Sequence, residues 1–249
     1  MSDKLSQVYD KAFYAKHATK TSLSADAILG LLFKHYQPQS VIDIGCGHGA
    51  WLSAAECLGA DKLVGYDGPW VTQEKLLSDA IDLTTVDLDR ALPELQDRYD
   101  LCISLEVAEH LNESRSEPFV SLLCEASDVI LFSAAVSYQG GTNHRNEQWQ
   151  SYWINIFDKR GYDCIDSIRP TVWNDKSVAY YYRQNTFLFV KRGTSHIDTA
   201  RLRELERPIY DIAHPVNYEW KGALYQRAQD PSLRFIVGRL LLWFKKLWE

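Results

Sequence analysis

The sequence predicts an α/β protein in which helices cover both faces of a mostly parallel sheet. Short β-branched segments alternate along the chain with segments whose apolar residues recur at helical spacing, as in βαβ units. A cluster of glycines joins the first predicted strand to the helix that follows it. With 249 residues, 46% of them hydrophobic, the chain is long enough to bury a large core.

A helix is predicted before the first strand. Residues 1–22 form a polar lead-in with some aromatic side chains, and Ser24 has the chemistry of a helix N-cap. Pro38 ends the helix, because proline cannot continue the ladder of backbone hydrogen bonds. The apolar positions that define its buried face are Ile28, Leu31, Leu32 and Tyr36.

Five apolar segments are then predicted as buried strands: 40–45, 63–67, 80–88, 100–107 and 128–136. Residues 50–58 and 119–127 have helical spacing. Beyond residue 137 a Gly-Gly loop leads into an aromatic helix that ends at Gly161. Two further strands, 164–174 and 185–191, are expected to close the sheet in antiparallel fashion.

Three regions are expected along the chain. Residues 1–197 form the main domain, including the N-terminal lead-in. Residues 198–231 contain three prolines and no clear period, and they are expected to form an arm on that domain. Residues 232–249 form a separate amphipathic helix.

Composition and charge exclude several classes of protein. Aromatic residues make up 12% of the chain, far too many for a disordered coil. The net charge of −6 disfavours a nucleic-acid partner. Five cysteines without a C-x-x-C pair indicate free thiols in a reducing compartment. We expect a cytoplasmic protein, because the sequence shows no signal peptide and no apolar run of the ~20 residues that a membrane span needs.

The stretch VIDIGCGHGA indicates a cofactor site. Glycines at 45, 47 and 49 allow the backbone to turn sharply and approach a ligand, and the helix behind them offers free N–H groups. Gly45, Gly47 and Ala50 also fit the G-x-G-x-x-A pattern of dinucleotide-binding proteins. A plain strand-to-helix turn is the structural alternative.

Carboxylates beside this loop favour S-adenosyl-L-methionine over NAD. Asp43 lies inside the strand and suits a cationic amino group, whereas it would repel a pyrophosphate. Asp67 ends the second strand, 22 residues after Gly45, where a carboxylate typically binds ribose hydroxyls. Asp87 and Leu88 end the third strand, where adenine would lie.

Two alternatives stay open. An NAD-dependent oxidoreductase would need a Tyr-x-x-x-Lys pair or similar, and no tyrosine in the chain has a lysine four residues on. A non-catalytic protein with a degenerate fold would have no physical need of the carboxylates at 43, 67 and 87.

Four motifs, IDIGCGHG, GYD, VDLD and SLEVAEHL, resemble those of class I S-adenosylmethionine-dependent methyltransferases. The resemblance covers residues 40 to 136 and is close to the E-V-x-E-H-L form of small-molecule O-methyltransferases, such as those of ubiquinone biosynthesis. It implies a Rossmann-like sheet of seven strands, six parallel and one antiparallel. It also implies cofactor contacts from Asp43, the glycine loop, Asp67, Asp87, Leu88 and Glu106, the last near the methyl-donor pocket.

The second half of the chain suggests an acceptor class. The segments GGTNHRNEQWQSYW and RQNTFLFV resemble a subset of these enzymes from cell-surface glycan and secondary-metabolite clusters. The resemblance implies O-methylation of a sugar, a glycan precursor or a related small molecule; methylation of a secondary metabolite at nitrogen or oxygen is the alternative.

Histidines are candidates for the base that a hydroxyl acceptor requires. His144 follows the fifth strand, at the edge of the sheet where ligands bind, and His110 is the second candidate. Asn146 and Gln148 are expected to contact the substrate. Trp149 and Trp153 either wall the acceptor or form a buried helix face.

A metal site is the second choice at the fourth strand. Glu106, Glu109 and His110 have ligand-type side chains at E-x-x-E-H spacing, and some ubiquinone-pathway relatives use a metal. We favour the alternative in which Glu109 and His110 cap and orient the loop, and we therefore expect no metal.

The last 18 residues predict an amphipathic helix. Four basic residues, Arg234, Arg239, Lys245 and Lys246, lie opposite one apolar arc. Such a helix meets the inner surface of a membrane, another subunit or its own domain. The arc contains Leu233, Ile236, Val237, Leu240, Leu241, Trp243, Phe244, Leu247 and Trp248.

Overall fold

The computed structural model describes residues 11–207, 211–229 and 233–247. These residues fall into two compact units, Met1–Ile212 and Ala213–Glu249. The first unit extends beyond residue 197 because Leu202 is fully buried in its core. Residues 1–10 of the predicted lead-in, Pro208, Pro231 and Trp248 lie outside the described residues.

The first unit is built on one seven-stranded sheet in the order β3-β2-β1-β4-β5-β7-β6. Only β7 runs against the others, since it pairs in antiparallel fashion with both β5 and β6. The predicted α/β, Rossmann-like, mostly parallel sheet is therefore confirmed. Its strands are β1 (Ser40–Ile44), β2 (Lys62–Asp67), β3 (Ile81–Thr85), β4 (Leu101–Leu105), β5 (Val129–Ser133), β6 (Tyr162–Ile165) and β7 (Phe187–Lys191).

Helices cover both faces of the sheet, because the central strands are apolar on both sides. Val41 and Leu131 face one layer, and Ile42 and Phe132 face the other. Helices α1, α2, α5 and α6 contribute to the first layer, and α3 and α4 to the second. The helices of the first unit are α1 (Lys11–Leu32), α2 (Ala50–Cys57), α3 (Ser116–Ala126), α4 (Gln150–Asp158), α5 (Ile168–Val172), α6 (Tyr180–Asn185) and α7 (Thr199–Arg203).

The predicted N-cap at Ser24 is wrong. Helix α1 begins by Lys11, so Ser24 lies within it and is fully buried. Its hydroxyl donates to the carbonyl of Lys20 at 2.6 Å and accepts the backbone N–H of Ala179 at 3.0 Å. A serine that bonds back to the preceding turn can stay inside a helix, and here the second bond ties α1 to the start of α6.

The predicted strand 164–174 is wrong beyond its first two residues. Strand β6 ends at Ile165, and α5 follows. Asp166 and Arg169, each only 1% exposed, form a two-bonded ion pair at 2.9 and 2.6 Å. In a strand, side chains three residues apart point to opposite faces, whereas in a helix they share one face. The buried pair therefore requires the chain to turn between Asp166 and Arg169 instead of continuing as a strand.

The second unit contains two helices, α8 (Pro215–Gln229) and α9 (Leu233–Leu247). Part of the segment predicted as an arm is thus regular helix. Within the three described ranges, no helix combines the length and the apolar character that crossing a membrane requires.

The sheet topology determines where a ligand can bind. Chain order reverses between β1 and β4, which lie side by side. In open α/β sheets the crevice at such a switch point, at the carboxyl ends of the strands, is the usual ligand site. Asp43, Gly45 and Glu106 lie at this edge.

Candidate active site

Three glycines shape the loop between β1 and α2, and all three have positive φ: 94° at Gly45, 54° at Gly47 and 73° at Gly49. A Cβ at Gly45 would lie 2.3 Å from Cγ2 of Val107, and one at Gly49 would lie 2.5 Å from Cδ1 of Ile81. No atom of the described residues beyond its chain neighbours lies within 4 Å of a Cβ at Gly47. The loop is therefore held closely on two sides, and Gly47 leaves room for a ligand.

Asp67, at the end of β2, fixes the glycine loop. Its two carboxylate oxygens accept the backbone N–H groups of Gly47 at 2.7 Å and Gly68 at 2.6 Å. Burial raises the pKa of Asp67, and these two bonds partly offset the rise because they stabilise the ionised form. A carboxylate can accept about four hydrogen bonds, so Asp67 can hold the loop and still receive a ribose hydroxyl.

Asp43 is a buried carboxylate at this edge with one unsatisfied oxygen. Its side chain is 2% exposed, and among the described residues nothing donates a hydrogen bond to Oδ2. Burial, and then the nearby carboxylate of Asp67, raise its pKa well above the ordinary value. A buried carboxylate without a donor is costly to the fold, and a cationic donor would remove that cost.

Asp87 and Leu88 lie two and three residues beyond the end of β3 at Thr85 rather than inside the strand. The carboxylate of Asp87 accepts the N–H of Asp89 at 3.1 Å and pairs with Nε of Arg90 at 3.2 Å. Leu88 is 8% exposed and packs in the core. The structure thus gives Asp87 a local turn-forming role and leaves little of Leu88 for a ligand.

Trp70 is a neighbour of Asp67 that the sequence prediction missed. Its indole N–H donates to Asp67, which lowers the pKa of that carboxyl group. Its ring lies so close to Gly68 that a Cβ there would be 2.2 Å from Cζ2. The Asp-Gly-Pro-Trp sequence after β2 was the available signal, because only glycine permits the ring to pack onto the backbone.

Glu106, at the tip of β4, is the centre of a polar network. It is one of the few non-glycine residues with positive φ, at 58°. Ser133 Oγ donates to its carboxylate at 2.8 Å, Gln139 Nε2 at 3.1 Å and Asn185 Nδ2 at 3.2 Å. Burial raises the pKa of Glu106, and these three donors oppose the rise.

Gln139 and Asn185 were not predicted as site residues. Asn185 ends α6 two residues before β7 begins, and β7 runs antiparallel to β5 with Phe187 opposite Phe132. The start of an antiparallel strand lies at the edge where its parallel neighbour ends. That rule could have placed the Arg-Gln-Asn segment beside Glu106.

A cluster of three possible metal ligands lies next to this network. Glu109, His110 and His144 each offer one ligand atom, and these atoms all lie within 4.8 Å of one another. The predicted second-choice set of Glu106, Glu109 and His110 is therefore corrected: His144 takes the place of Glu106. The reason is that the donors from Ser133, Gln139 and Asn185 already engage both oxygens of Glu106.

The electrostatics of the cluster suit a cation. Glu109 is fully buried, and neither of its carboxylate oxygens has a hydrogen-bond partner among the described residues. Burial, then the charge of Glu106, raise its pKa well above the usual range. Burial lowers the pKa of His110 to about 4, so its ring is neutral and can act as a ligand.

His144 is held by a second acidic residue. Its Nδ1 lies 2.8 Å from Oε1 of Glu147, and its ring meets that of His110 edge-on, with centroids 4.9 Å apart. A Cβ at Gly141 would be 2.2 Å from Nε2 of His144. The Gly-Gly segment thus allows the imidazole to pack against the loop backbone. Because Glu147 engages Nδ1, Nε2 is the ring nitrogen that can accept a proton or bind a ligand.

A pocket of about 460 Å³ opens beside His144. Its lining includes the His144–Glu147 pair and Tyr138, which has φ 64° and is 82% exposed. The remaining lining residues are Ser137, Gly140, Gly141 and Arg145.

Two predicted substrate contacts are corrected. Asn146 is 2% exposed, and its amide donates to Ser116 Oγ at 2.9 Å, so it anchors the loop instead of facing the pocket. Trp153 is 3% exposed and packs on Phe132, with ring centroids 5.3 Å apart, so it belongs to the core.

The other two predicted contacts have different surroundings. Gln148 donates to Oδ1 of Asn146 at 3.0 Å and supports the loop. Trp149 is 40% exposed at the start of α4, and of the two tryptophans it is the one that a ligand can reach.

A family model described as a methyltransferase domain matches residues 14–153. The match includes the glycine loop, Asp67 and the whole cluster of Glu109, His110 and His144. The alternative of an NAD-dependent oxidoreductase finds no support in this match.

One curated relative and two solved structures add detail. The ribosomal protein L11 methyltransferase of Geotalea uraniireducens is 36% identical over 146 residues, and the match covers 57% of this chain but only 42% of that protein. This chain therefore spans less than half the length of that relative.

Among solved structures, phosphoethanolamine N-methyltransferase 1 of Haemonchus contortus, bound to phosphoethanolamine and S-adenosylhomocysteine, matches at 17% identity with a TM-score of 0.54 over 82% of this chain and 50% of that one. Magnesium protoporphyrin IX methyltransferase of Synechocystis, with bound S-adenosylhomocysteine, matches at 18% identity with a TM-score of 0.50 over 69% of this chain and 84% of that one. At these identities the two structures show a shared fold.

Proposed function

This chain belongs to the methyltransferase domain family, and we propose that it transfers a methyl group from S-adenosylmethionine to a hydroxyl of a small acceptor, a sugar or glycan precursor. The observation that carries the cofactor assignment is Asp43, a buried carboxylate without a donor at one oxygen, beside the room at Gly47. An ammonium group is the donor that such an oxygen requires, and NAD would bring a pyrophosphate there instead.

The residues present fit the cofactor. Asp43 would accept its ammonium group, Gly47 would line its path, and Asp67 would receive a ribose hydroxyl with its remaining lone pair. When bound, the cofactor supplies a methyl group on a sulfonium, which is already a good leaving group. The protein mainly has to position the acceptor and to remove its proton.

We assign His144 as the base that removes the proton of the acceptor hydroxyl. Its Nε2 would accept the proton of the acceptor hydroxyl, while Glu147 at Nδ1 keeps the ring oriented and stabilises the cation that forms. The pocket beside His144 has room for a monosaccharide-sized group, and Tyr138 in its lining offers an aromatic face. The acceptor would thus reach the base from the side of the Gly-Gly loop.

A second candidate role for the same cluster is metal binding. Glu109, His110 and His144 would hold a divalent cation, which supplies a positive charge that makes an acceptor hydroxyl more acidic. The observation that favours it is Glu109, whose buried oxygens have no donor among the described residues. Neutral His110 fits the same role, because a ligand nitrogen must be deprotonated.

The test of the cofactor assignment is calorimetry on the full chain with S-adenosylhomocysteine and, separately, NAD. Binding of the first and no heat from the second is expected. Binding of NAD alone would refute the assignment. Transfer of a labelled methyl group to nucleotide sugars and short oligosaccharides then tests the acceptor class, and methylation at nitrogen in a product would exclude the O-directed reaction.

A chelator separates the two roles of the cluster. Activity that EDTA abolishes and Mg²⁺ or Mn²⁺ restores would assign the metal, whereas unchanged activity would leave His144 as a base. Glu109→Gln should then abolish any rise in melting temperature that the metal produces. Glu125→Gln, at an exposed position, is the matched control.

A further inference from the structure

The helix α9 displays a broad apolar surface. Eight of its large apolar side chains are between 40% and 81% exposed. At 100° per residue most of them share one arc of the helix. This arc is broader than the seam of a coiled coil, in which two of every seven positions are apolar. The eight side chains are Leu233, Ile236, Val237, Leu240, Leu241, Leu242, Trp243 and Phe244.

The charges of α9 are all of one sign. The helix contains four basic residues and no Asp or Glu. By helical geometry, the positions of Arg234 and Lys245 border one edge of the apolar arc, and those of Arg239 and Lys246 border the other. Basic residues at both borders are typical of a helix that lies in a membrane interface, where their charged ends meet lipid phosphates.

We infer that α9 binds the surface of an anionic lipid bilayer and lies parallel to it. Fifteen residues of helix extend for about 22 Å, too short for the ~30 Å of a hydrocarbon core. The helix therefore binds at the bilayer surface, with its apolar arc buried at the level of the headgroups and its basic residues at the phosphates.

A second copy of the helix fits this surface less well. Two such helices side by side would bring eight basic groups together with no acidic partner, and like charges across a helical seam oppose association. An anionic bilayer supplies both an apolar layer and negative charge.

The second unit, which contains α9, also differs from the rest of the chain in the sign of its net charge. Residues 213–249 contain six Lys and Arg and three Asp and Glu, whereas the whole chain has 27 and 33. The remainder is acidic and would be repelled by anionic lipid. Exposed aromatic side chains of α8, Tyr218, Trp220 and Tyr225, have the amphipathic character that favours the interface. Any attachment must then come from the second unit.

The test is co-sedimentation of the full chain with vesicles of phosphatidylcholine alone or with about one third phosphatidylglycerol. We expect binding to the anionic vesicles and at least tenfold weaker binding to the neutral ones. Each basic residue near an anionic surface contributes about fivefold to binding. The triple variant Arg239→Glu, Lys245→Glu, Lys246→Glu should therefore bind at least about a hundredfold more weakly.

A charge-matched control shows whether position matters. Lys20→Glu, Lys34→Glu and Lys176→Glu change the net charge by the same amount at exposed positions of the first unit. This triple variant should still bind. A second variant, Leu240→Gln with Phe244→Gln, keeps every charge and should also lose binding, because part of the apolar arc is removed.

Several results would overturn the inference. These are no binding of the wild type to anionic vesicles, equal binding to neutral ones, or equal losses in the α9 and control variants. A dimer in light scattering that the α9 variants convert to a monomer, without vesicle binding, would assign the arc to a second copy. A salt titration provides a further test that requires no variant. About 0.5 M salt should release the wild type from anionic vesicles, because screening weakens the attraction to lipid phosphates. Unchanged affinity for S-adenosylhomocysteine in the variants separates this test from that of the proposed activity.

Discussion

Asp43→Asn should make the free protein more stable and the cofactor complex weaker. The carboxylate is 2% exposed, and no described residue donates to Oδ2. Leaving a buried group unsatisfied costs about 1–3 kcal/mol, and more if it is charged, so removing the charge should stabilise the free fold by about 1 kcal/mol at pH values where the carboxylate is ionised. Loss of a bond from an ammonium group to a charged acceptor should weaken binding by about 1.5–3 kcal/mol, roughly 10- to 150-fold.

The effect of Asp43→Asn on the stability of the free protein should change with pH in a direction that the substitution of a merely structural residue would not show. The pKa of Asp43 in the folded state lies above its unfolded value, so folding takes up a proton between the two values. The stability associated with the protonated group is complete below the unfolded pKa and is lost as pH rises through the folded pKa, by up to ~1.4 kcal/mol per pH unit. The difference between the variant and the wild type should therefore grow with pH.

Urea unfolding of both proteins, at about pH 5, 6, 7 and 8, measures this difference. Calorimetry with S-adenosylhomocysteine measures the loss of affinity. Asp61→Asn, at an exposed position of the first unit, is the control and should change neither quantity. A variant that is less stable than the wild type, or that binds the cofactor product with unchanged affinity, would refute the role given to Asp43.

Three further predictions concern His144, the glycine beside it and the two tryptophans at the start of α4. His144→Gln should lower turnover by roughly 10²–10⁴ with cofactor affinity nearly unchanged, as single-turnover kinetics would show. Gly141→Ala should lower turnover at least about tenfold, since its Cβ would lie 2.2 Å from Nε2 of His144, whereas Gly30→Ala, with nothing within 4 Å, should not. Trp153→Ala should cost about 3–5 kcal/mol in urea unfolding because it is a core residue, and Trp149→Ala less than about 1 kcal/mol. Equal costs for the two tryptophans would contradict the burial difference.

Much of the cofactor side could be predicted from the sequence. The glycines at 45, 47 and 49 and the carboxylates at 43 and 67 lie within or directly after buried strands. Parallel strands bring their carboxyl ends to one edge, so strand order alone places these groups together. Whether an individual group is already satisfied could not be predicted: Asp67 accepts two backbone N–H groups, whereas Asp43 has an oxygen without a donor.

The acceptor side depended on contacts between distant segments. His144 joins Glu109 and His110 because the loop after β5 folds onto the turn after β4, where the N–H groups of Arg145 and Asn146 both donate to the carbonyl of Glu109. No local pattern contains that docking. Asn146 has the chemistry of a ligand-binding residue, but a partner on α3 takes its amide.

The sequence by itself therefore determined the first five strands, the helices at 50–57 and 116–126, the glycine loop and the amphipathic character of residues 233–247, since each follows from periodicity or from the backbone freedom of particular residues. Only the tertiary structure decided which polar side chains face a ligand and which bind one another. The physical reason is that hydrogen-bond partners and burial are properties of pairs of segments: Trp149 and Trp153 share one helix start, yet contact with Phe132 buries the second and leaves the first 40% exposed.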